Sequence, residues 1–152
     1  MSVRSDELRR RDGLEALEMM RLGEIPQAPV TRWMEIALES VERGRVVYSM
    51  TPREELYNLI GSVHGGIITT LLDTALGTAV QSLLPAGRVG TTMDLSTRFH
   101  RPVTVAAGKI FAEANVVHAG RRTATSEAKV TDAQGRVYAT GTSTLLILED
   151  PA

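Results

Sequence analysis

The segment 66–85, GIITTLLDTALGTAVQSLLP, carries one charged residue, Asp73, ahead of the proline that ends it. Apolar residues run almost all the way round a helix drawn through it, so it has no broad face to offer water and must be enclosed. The rest of the chain therefore has to supply the enclosure.

The C-terminal half can do so. After Pro85, Ala86 and Gly87 come four β-rich stretches, roughly 89–100, 108–119, 122–132 and 136–148, separated by turn residues. In the first, Met93, Leu95 and Phe99 alternate with Asp94, Ser96, Arg98 and His100, which predicts a strand with one face buried. Asp132 to Gly135 reads as a tight turn with glycine supplying a positive φ. Ahead of the helix, residues 33–41 and 45–50 flank Glu42, Arg43 and Gly44 as a first hairpin, which Pro52 ends. At the start, Ser5 is a candidate N-cap for an amphipathic helix through Leu8, Leu14, Leu17 and Met20, stopped by Gly23 and Pro26. Arg9, Arg10 and Arg11 form its solvated face.

The order predicts an α+β fold, a curved antiparallel sheet wrapped around one long apolar helix with an extra N-terminal helix. A chain of 152 residues suits one such domain, here 29–149, preceded by a helical extension over 1–28.

Seventeen Lys plus Arg against eighteen Asp plus Glu leave a net charge of −1, so no global field draws the chain to nucleic acid or to an anionic membrane surface. No run reaches the ~20 apolar residues of a bilayer span. The first twenty residues lack the apolar core of a secretory signal, and Asp6, Glu7, Asp12, Glu15 and Glu18 argue against a transit peptide, so a cytoplasmic protein is expected. With no cysteine, thiolate nucleophiles and Cys-based metal sites are excluded. His64, His100 and His118 show no ligand spacing, and neither a metal nor a cofactor is expected.

At ~100° per residue, Gly66, Thr69, Asp73, Gly77 and Gln81 share one narrow stripe, while Ile68, Leu71, Leu72, Ala75 and Ala79 lie opposite. An ionised carboxylate among apolar residues needs a partner or access to a cavity. From the residues alone, either Thr69 or Thr70 satisfies Asp73 or the carboxylate serves a ligand. Immediately before the helix stand Val63, His64, Gly65 and Gly66. Two glycines at a helix start leave backbone N–H groups open to a close-approaching anion, an oxyanion hole in outline.

The combined spacing N-x5-H-G-G-x6-D, from Asn58 to Asp73, resembles the PaaI-like (phenylacetate-pathway type) hotdog acyl-CoA thioesterases, as do FHRPV at 99–103 and VVHAGRRT at 116–123. The resemblance covers about residues 30–148. It implies a hotdog fold and hydrolysis of a CoA thioester, of aryl-acetyl or medium-chain acyl type, to free acid and CoA. Asn58 and the Gly65 N–H would hold the thioester carbonyl, and His64 would lie beside the sulfur or orient the loop. Asp73 would act as general base or nucleophile, with Thr91, or its neighbour Thr92, positioning water. CoA, as part of the substrate, would meet Gly66, Thr92, His118, Gly120, Arg121 and Arg122, with the tandem arginines suited to phosphate. The family's site is shared between two subunits, which implies a homodimer and a dimer of dimers. The alternatives are a non-catalytic acyl-CoA-binding hotdog module and a hotdog hydratase or dehydratase, whose Gly-Asp-x-Asn-Pro-x-His and His-Phe-Pro-Gly loops are missing from this sequence.

Overall fold

The computed structural model describes residues 9–149. Helix α1 (Gly13–Arg21) starts where the Asp12 carboxylate accepts the Leu14 N–H at 3.1 Å. The expected Ser5 cap and Leu8 lie outside the described residues. The helix that carries Leu14, Leu17 and Met20 begins afresh at Asp12, whose N-cap geometry interrupts a continuous reading.

A short helix α2 (Pro29–Trp33) follows, with proline in its first turn where the missing N–H costs nothing. This corrects the expectation of a strand from Trp33: β1 is Ala37–Glu42, and Glu35, at φ 56°, turns the chain between the two. β2 (Arg45–Met50) pairs antiparallel with β1 across a turn whose Gly44 sits at φ 77°. Then come the long helix α3 (Gly65–Gln81) and the strands β3 (Arg88–Phe99), β4 (Ile110–Ala119), β5 (Thr123–Asp132) and β6 (Val137–Glu149).

All strand pairs are antiparallel in one sheet of order β1-β2-β4-β5-β6-β3. Helix α3 packs against β2, β4, β5, β6 and β3. Five strands at ~4.8 Å spacing span ~19 Å, well beyond the ~10–12 Å diameter of one helix, so the sheet has to curl for its outer strands to touch α3. This is the hotdog arrangement. The predicted stripes hold: Ile68, Leu71, Leu72, Ala75 and Ala79 are buried, whereas Thr69, Asp73, Gly77 and Gln81 are half-buried and Gly66 is exposed.

β3 is where the burial expectation fails. Met93 and Phe99 are 60% and 53% exposed, and Leu95 is only half-buried. β3 is an edge strand, paired with β6 alone, and its register shifts between Thr92 and Asp94, leaving Met93 out of the pairing. Alternation marks which face is apolar but not whether the same chain covers it.

Helix α1 is held in place by two contacts. The Gly13 N–H donates to the Leu84 carbonyl at 2.9 Å, and a Cβ on Gly13 would stand 1.8 Å from the Gln81 carbonyl oxygen, so only glycine permits this approach. On the other side Asp12 pairs with Arg43 of the β1–β2 turn at 3.0 Å. The N-terminal segment thus sits on the C-terminal end of α3.

Candidate active site

His64 caps α3: its Nδ1 accepts the Gly66 N–H at 2.9 Å. That bond assigns the ring proton to Nε2 in the neutral tautomer. It also corrects the picture of two open N–H groups, since Gly66 is engaged. Gly65 N–H donates to no partner among the described residues. It lies in a cleft of about 320 Å³ lined also by Asn58, Phe99, Arg101 and Tyr138. The Phe99 ring passes 3.1 Å from where a Gly65 Cβ would sit, so any side chain there would press on the ring.

Asn58 braces its own loop. Its Oδ1 accepts the N–H groups of Ile60 and Ser62 at 3.0 and 3.3 Å, and its Nδ2 donates to Ser62 Oγ at 3.2 Å. Main-chain bonds Asn58 N–H to Ser62 O and Gly61 N–H to Asn58 O close the same turn. One amide hydrogen of Asn58 is left for another acceptor. The braced turn presents Leu59 and Ile60 essentially fully exposed, at 106% and 88%.

Asp73 is bonded by neither candidate threonine of its own helix. Thr70 Oγ1 donates to the Gly66 carbonyl, while the Asp73 Oδ1 accepts from Thr92 Oγ1 of β3 at 2.9 Å. The register is thereby settled for this contact: Thr92, not Thr91, meets the carboxylate, and Thr91 lines the same cleft. That cleft, about 510 Å³, runs from Asp73 along α3 to Gln81 and is lined also by Tyr48, Leu145, Leu17, Met20 and Val30. Burial pushes the Tyr48 phenol up from its ordinary value, against the opposing effect of its bond to Thr78, so it stays a neutral hydroxyl.

Asp73 and the Asn58–Gly65 cluster are brought to different clefts. Eight helical steps separate Gly65 from Asp73, a rise of ~12 Å. A carbonyl held at the Gly65 N–H of one chain is therefore out of reach of the same chain's Asp73.

His118, Gly120, Arg121 and Arg122 form the exposed β4–β5 hairpin end. Gly120 N–H donates to Thr123 O, and the Arg122 carbonyl accepts from Ile147 N–H, both at 2.8 Å. Arg121 and Arg122 border an open cleft with Arg88 and Glu149. Thr123 pairs with Leu146, which pairs with Thr91, so the hairpin end and Thr91 share one row of the sheet. Two strand spacings along that row are ~10 Å.

The roles of Leu17, Met20 and Val30 in walling the Asp73 cleft were not visible in the sequence. The apolar spacing of Leu17 and Met20 marked a packed face, but nothing in it said which surface it packs on. Among the described residues no group of three or more His, Cys, Asp or Glu side chains is placed to hold a metal ion, and no helix is long and apolar enough to cross a membrane.

Comparison with known proteins bears on this geometry. The family model described as Thioesterase superfamily matches residues 60–139, from the Asn58 loop to β6. A provisionally named esterase of Halobacterium salinarum is 34% identical over 127 residues, 76% of this chain and 82% of that one. Human acyl-coenzyme A thioesterase 13 is 30% identical over 110 residues, 72% of this chain and 77% of its own length. Among solved structures, the E. coli PaaI protein from the phenylacetic acid degradation operon superposes with a TM-score of 0.78 over 90% of this chain and 94% of that one, at 22% identity, a likeness of fold.

Proposed function

The chain belongs to the thioesterase superfamily and is a thioester hydrolase, and from that premise we propose that it hydrolyses acyl-CoA thioesters, of aryl-acetyl or medium-chain acyl type, at a site built from Asp73 of one subunit and Asn58, His64 and Gly65 of a second. The observation that carries this reading is Asp73 itself, the only charged residue of α3, held by the Thr92 hydroxyl at one end of a largely apolar cleft. The human relative's name, acyl-coenzyme A thioesterase, supports the substrate class.

In this mechanism the thioester carbonyl oxygen accepts from the free Gly65 N–H and the remaining Asn58 amide hydrogen, donors aimed at where negative charge develops. With one oxygen of Asp73 taken by Thr92, the other is open to a water or to the carbonyl carbon. As general base it takes a proton from water while the new C–O bond forms. The tetrahedral intermediate then expels CoA sulfur as the C–S bond breaks, and the proton ends on the thiol. As nucleophile, Asp73 would form a mixed anhydride that water opens. His64, its Nδ1 committed to Gly66, would offer Nε2–H beside the leaving sulfur. CoA phosphates would meet Arg121 and Arg122, at the sheet end nearest Thr91.

Three features support the second subunit. The ~12 Å rise between Gly65 and Asp73 leaves neither cleft complete. The outer edge of β3 has no partner strand among the described residues, with Met93 exposed upon it. The rigid turn beside Asn58 holds Leu59 and Ile60 out in solvent, apolar surface that a partner would cover. The testing experiment is a thiol-release assay with phenylacetyl-CoA and a series of straight-chain acyl-CoAs. Saturable CoA release from at least one of them is expected. Tight binding of every thioester without release would return the chain to a non-catalytic acyl-CoA-binding module.

A further inference from the structure

We infer that the N-terminal segment is the acyl selector: Leu17 and Met20 of α1, with Val30 of α2, form the wall that receives an apolar acyl group of medium length and disfavours one with a polar tail. The inference rests on the hydrolase reading for the identity of its ligand, and on the cleft for everything else.

The cleft begins at Asp73 and follows α3 for two turns to Gln81, ~12 Å. Its volume of about 510 Å³ lies within the ordinary range for small-molecule sites. Along it the sequence of chemistry is directional, with the ionisable carboxylate at one end only. Beyond Asp73, the polar side chains other than Thr91 are already engaged with the protein. Tyr48 Oη shares a bond with Thr78 Oγ1 at 3.2 Å, and Thr74 Oγ1 donates to the Thr70 carbonyl at 2.8 Å. Gln81 donates to the Arg88 carbonyl at 3.2 Å and accepts from Gly90 N–H at 3.4 Å, and Thr31 Oγ1 donates to Ala28 O at 2.8 Å. A hydroxyl or carboxylate at the far end of an acyl chain would give up water for few open partners.

The wall is built to stay. Leu17 is 3% exposed, and Met20 packs on the same core while keeping part of its surface in the cleft. Methionine, unbranched and polarisable, suits a surface that must fit a chain of varying length. Val30 is 46% exposed. The position of Leu17 and Met20 relative to Asp73 is set by Gly13, whose close approach to Gln81 O seats α1 on the end of α3, and by the Asp12–Arg43 pair. A segment that looks in the sequence like an appendage thus supplies one side of the cleft that contains Asp73.

The test uses binding, so that it does not depend on turnover. Isothermal titration of the full chain with the non-hydrolysable thioethers S-decyl-CoA and S-butyl-CoA should give a preference of ~10²-fold or more for the longer chain, since each buried methylene adds to affinity. S-(10-hydroxydecyl)-CoA should lose much of that preference. Met20→Trp and, separately, Val30→Trp fill the cleft and should each cut the decyl-to-butyl ratio at least ~10-fold. Val30 is exposed enough that its variant tests the wall even if Met20→Trp misfolds. A ratio unchanged in folded Val30→Trp, or no chain-length preference in the parent, would overturn the assignment. Failure of the hydrolase reading shows separately, as thioether binding without thioester turnover.

Discussion

The Thr92 hydroxyl donates to one carboxylate oxygen of Asp73 at 2.9 Å across the α3–β3 seam, joining the helix's only charge to the edge strand of the sheet. A hydrogen bond to a charged group contributes about 1.5–3 kcal/mol. If it holds the carboxylate in its reacting orientation, Thr92→Val should lower kcat ~10-fold or more with KM little changed, while Thr92→Ser stays near the parent. Steady-state kinetics on the three proteins decides it. Parent-like turnover in the Val variant, with the loss in the Ser variant instead, would make the methyl, not the hydroxyl, the active feature of Thr92.

Gly13→Ala reverses the usual sign of such a change. In an exposed helix it stabilises by up to ~1 kcal/mol. Here the added Cβ would stand 1.8 Å from the Gln81 carbonyl oxygen, a backbone atom that cannot swing aside. Overpacking of this kind costs about 1–3 kcal/mol, or ~2–4 °C in Tm for each kcal/mol in a chain of this size. Thermal unfolding should show the drop, and an unchanged or raised Tm would mean that α1 is not seated as described.

Replacing both Leu59 and Ile60 by Asp puts charge on two strongly exposed apolar side chains without touching the five bonds that brace their turn. The double variant should sediment as a folded monomer and lose turnover, because neither cleft is complete in one chain. A variant that keeps the parent's oligomeric state would remove this turn from the interface.

Asp132 anchors the β5–β6 turn. Burial raises its carboxyl, but the Arg136 guanidinium, the N–H groups of Arg136 and Gln134 and the Tyr138 hydroxyl outweigh it and hold it at about 2. Its unfolded value is ~3.9, so the unfolded chain takes up a proton first as pH falls. The stabilisation is therefore complete above pH ~4 and is lost progressively between ~4 and 2. Asp12, lowered by Arg43, acts in the same direction. Asp132→Asn should lower Tm at neutral pH and flatten its fall through that window, as measured by melts from pH 7 to 2. A slope equal to the parent's would show that Asp132 is not the group responsible.

The buried helix, its polar stripe and the four long strands were legible because period 3.6 and period 2 are local properties of the sequence. Asp73 stood out for the same reason. What could not be read depends on contacts distant along the chain. The two adjacent threonines of β3 look alike in sequence, and which of them meets Asp73 depends on how β3, paired with β6, lies against α3. Met93 and Phe99 alternate like a buried face, yet β3 is an edge that no described strand of this chain covers from outside. Trp33 suggested a strand, but Pro29 opens a helical turn ahead of it. Gly13 gave no sign that it marks a helix crossing, because a glycine read alone says only that the backbone is free.

The central claim is that the Asp73 carboxylate activates the attacking group. Asp73→Asn keeps the shape and can still accept from Thr92, so fold and assembly should survive, as circular dichroism and sedimentation would show. The decisive measurement is kcat for thioester hydrolysis by that folded variant. Loss of a general base typically costs ~10²- to 10⁴-fold, and a fall in this range is the expected result. Turnover close to the parent's would contradict the mechanism.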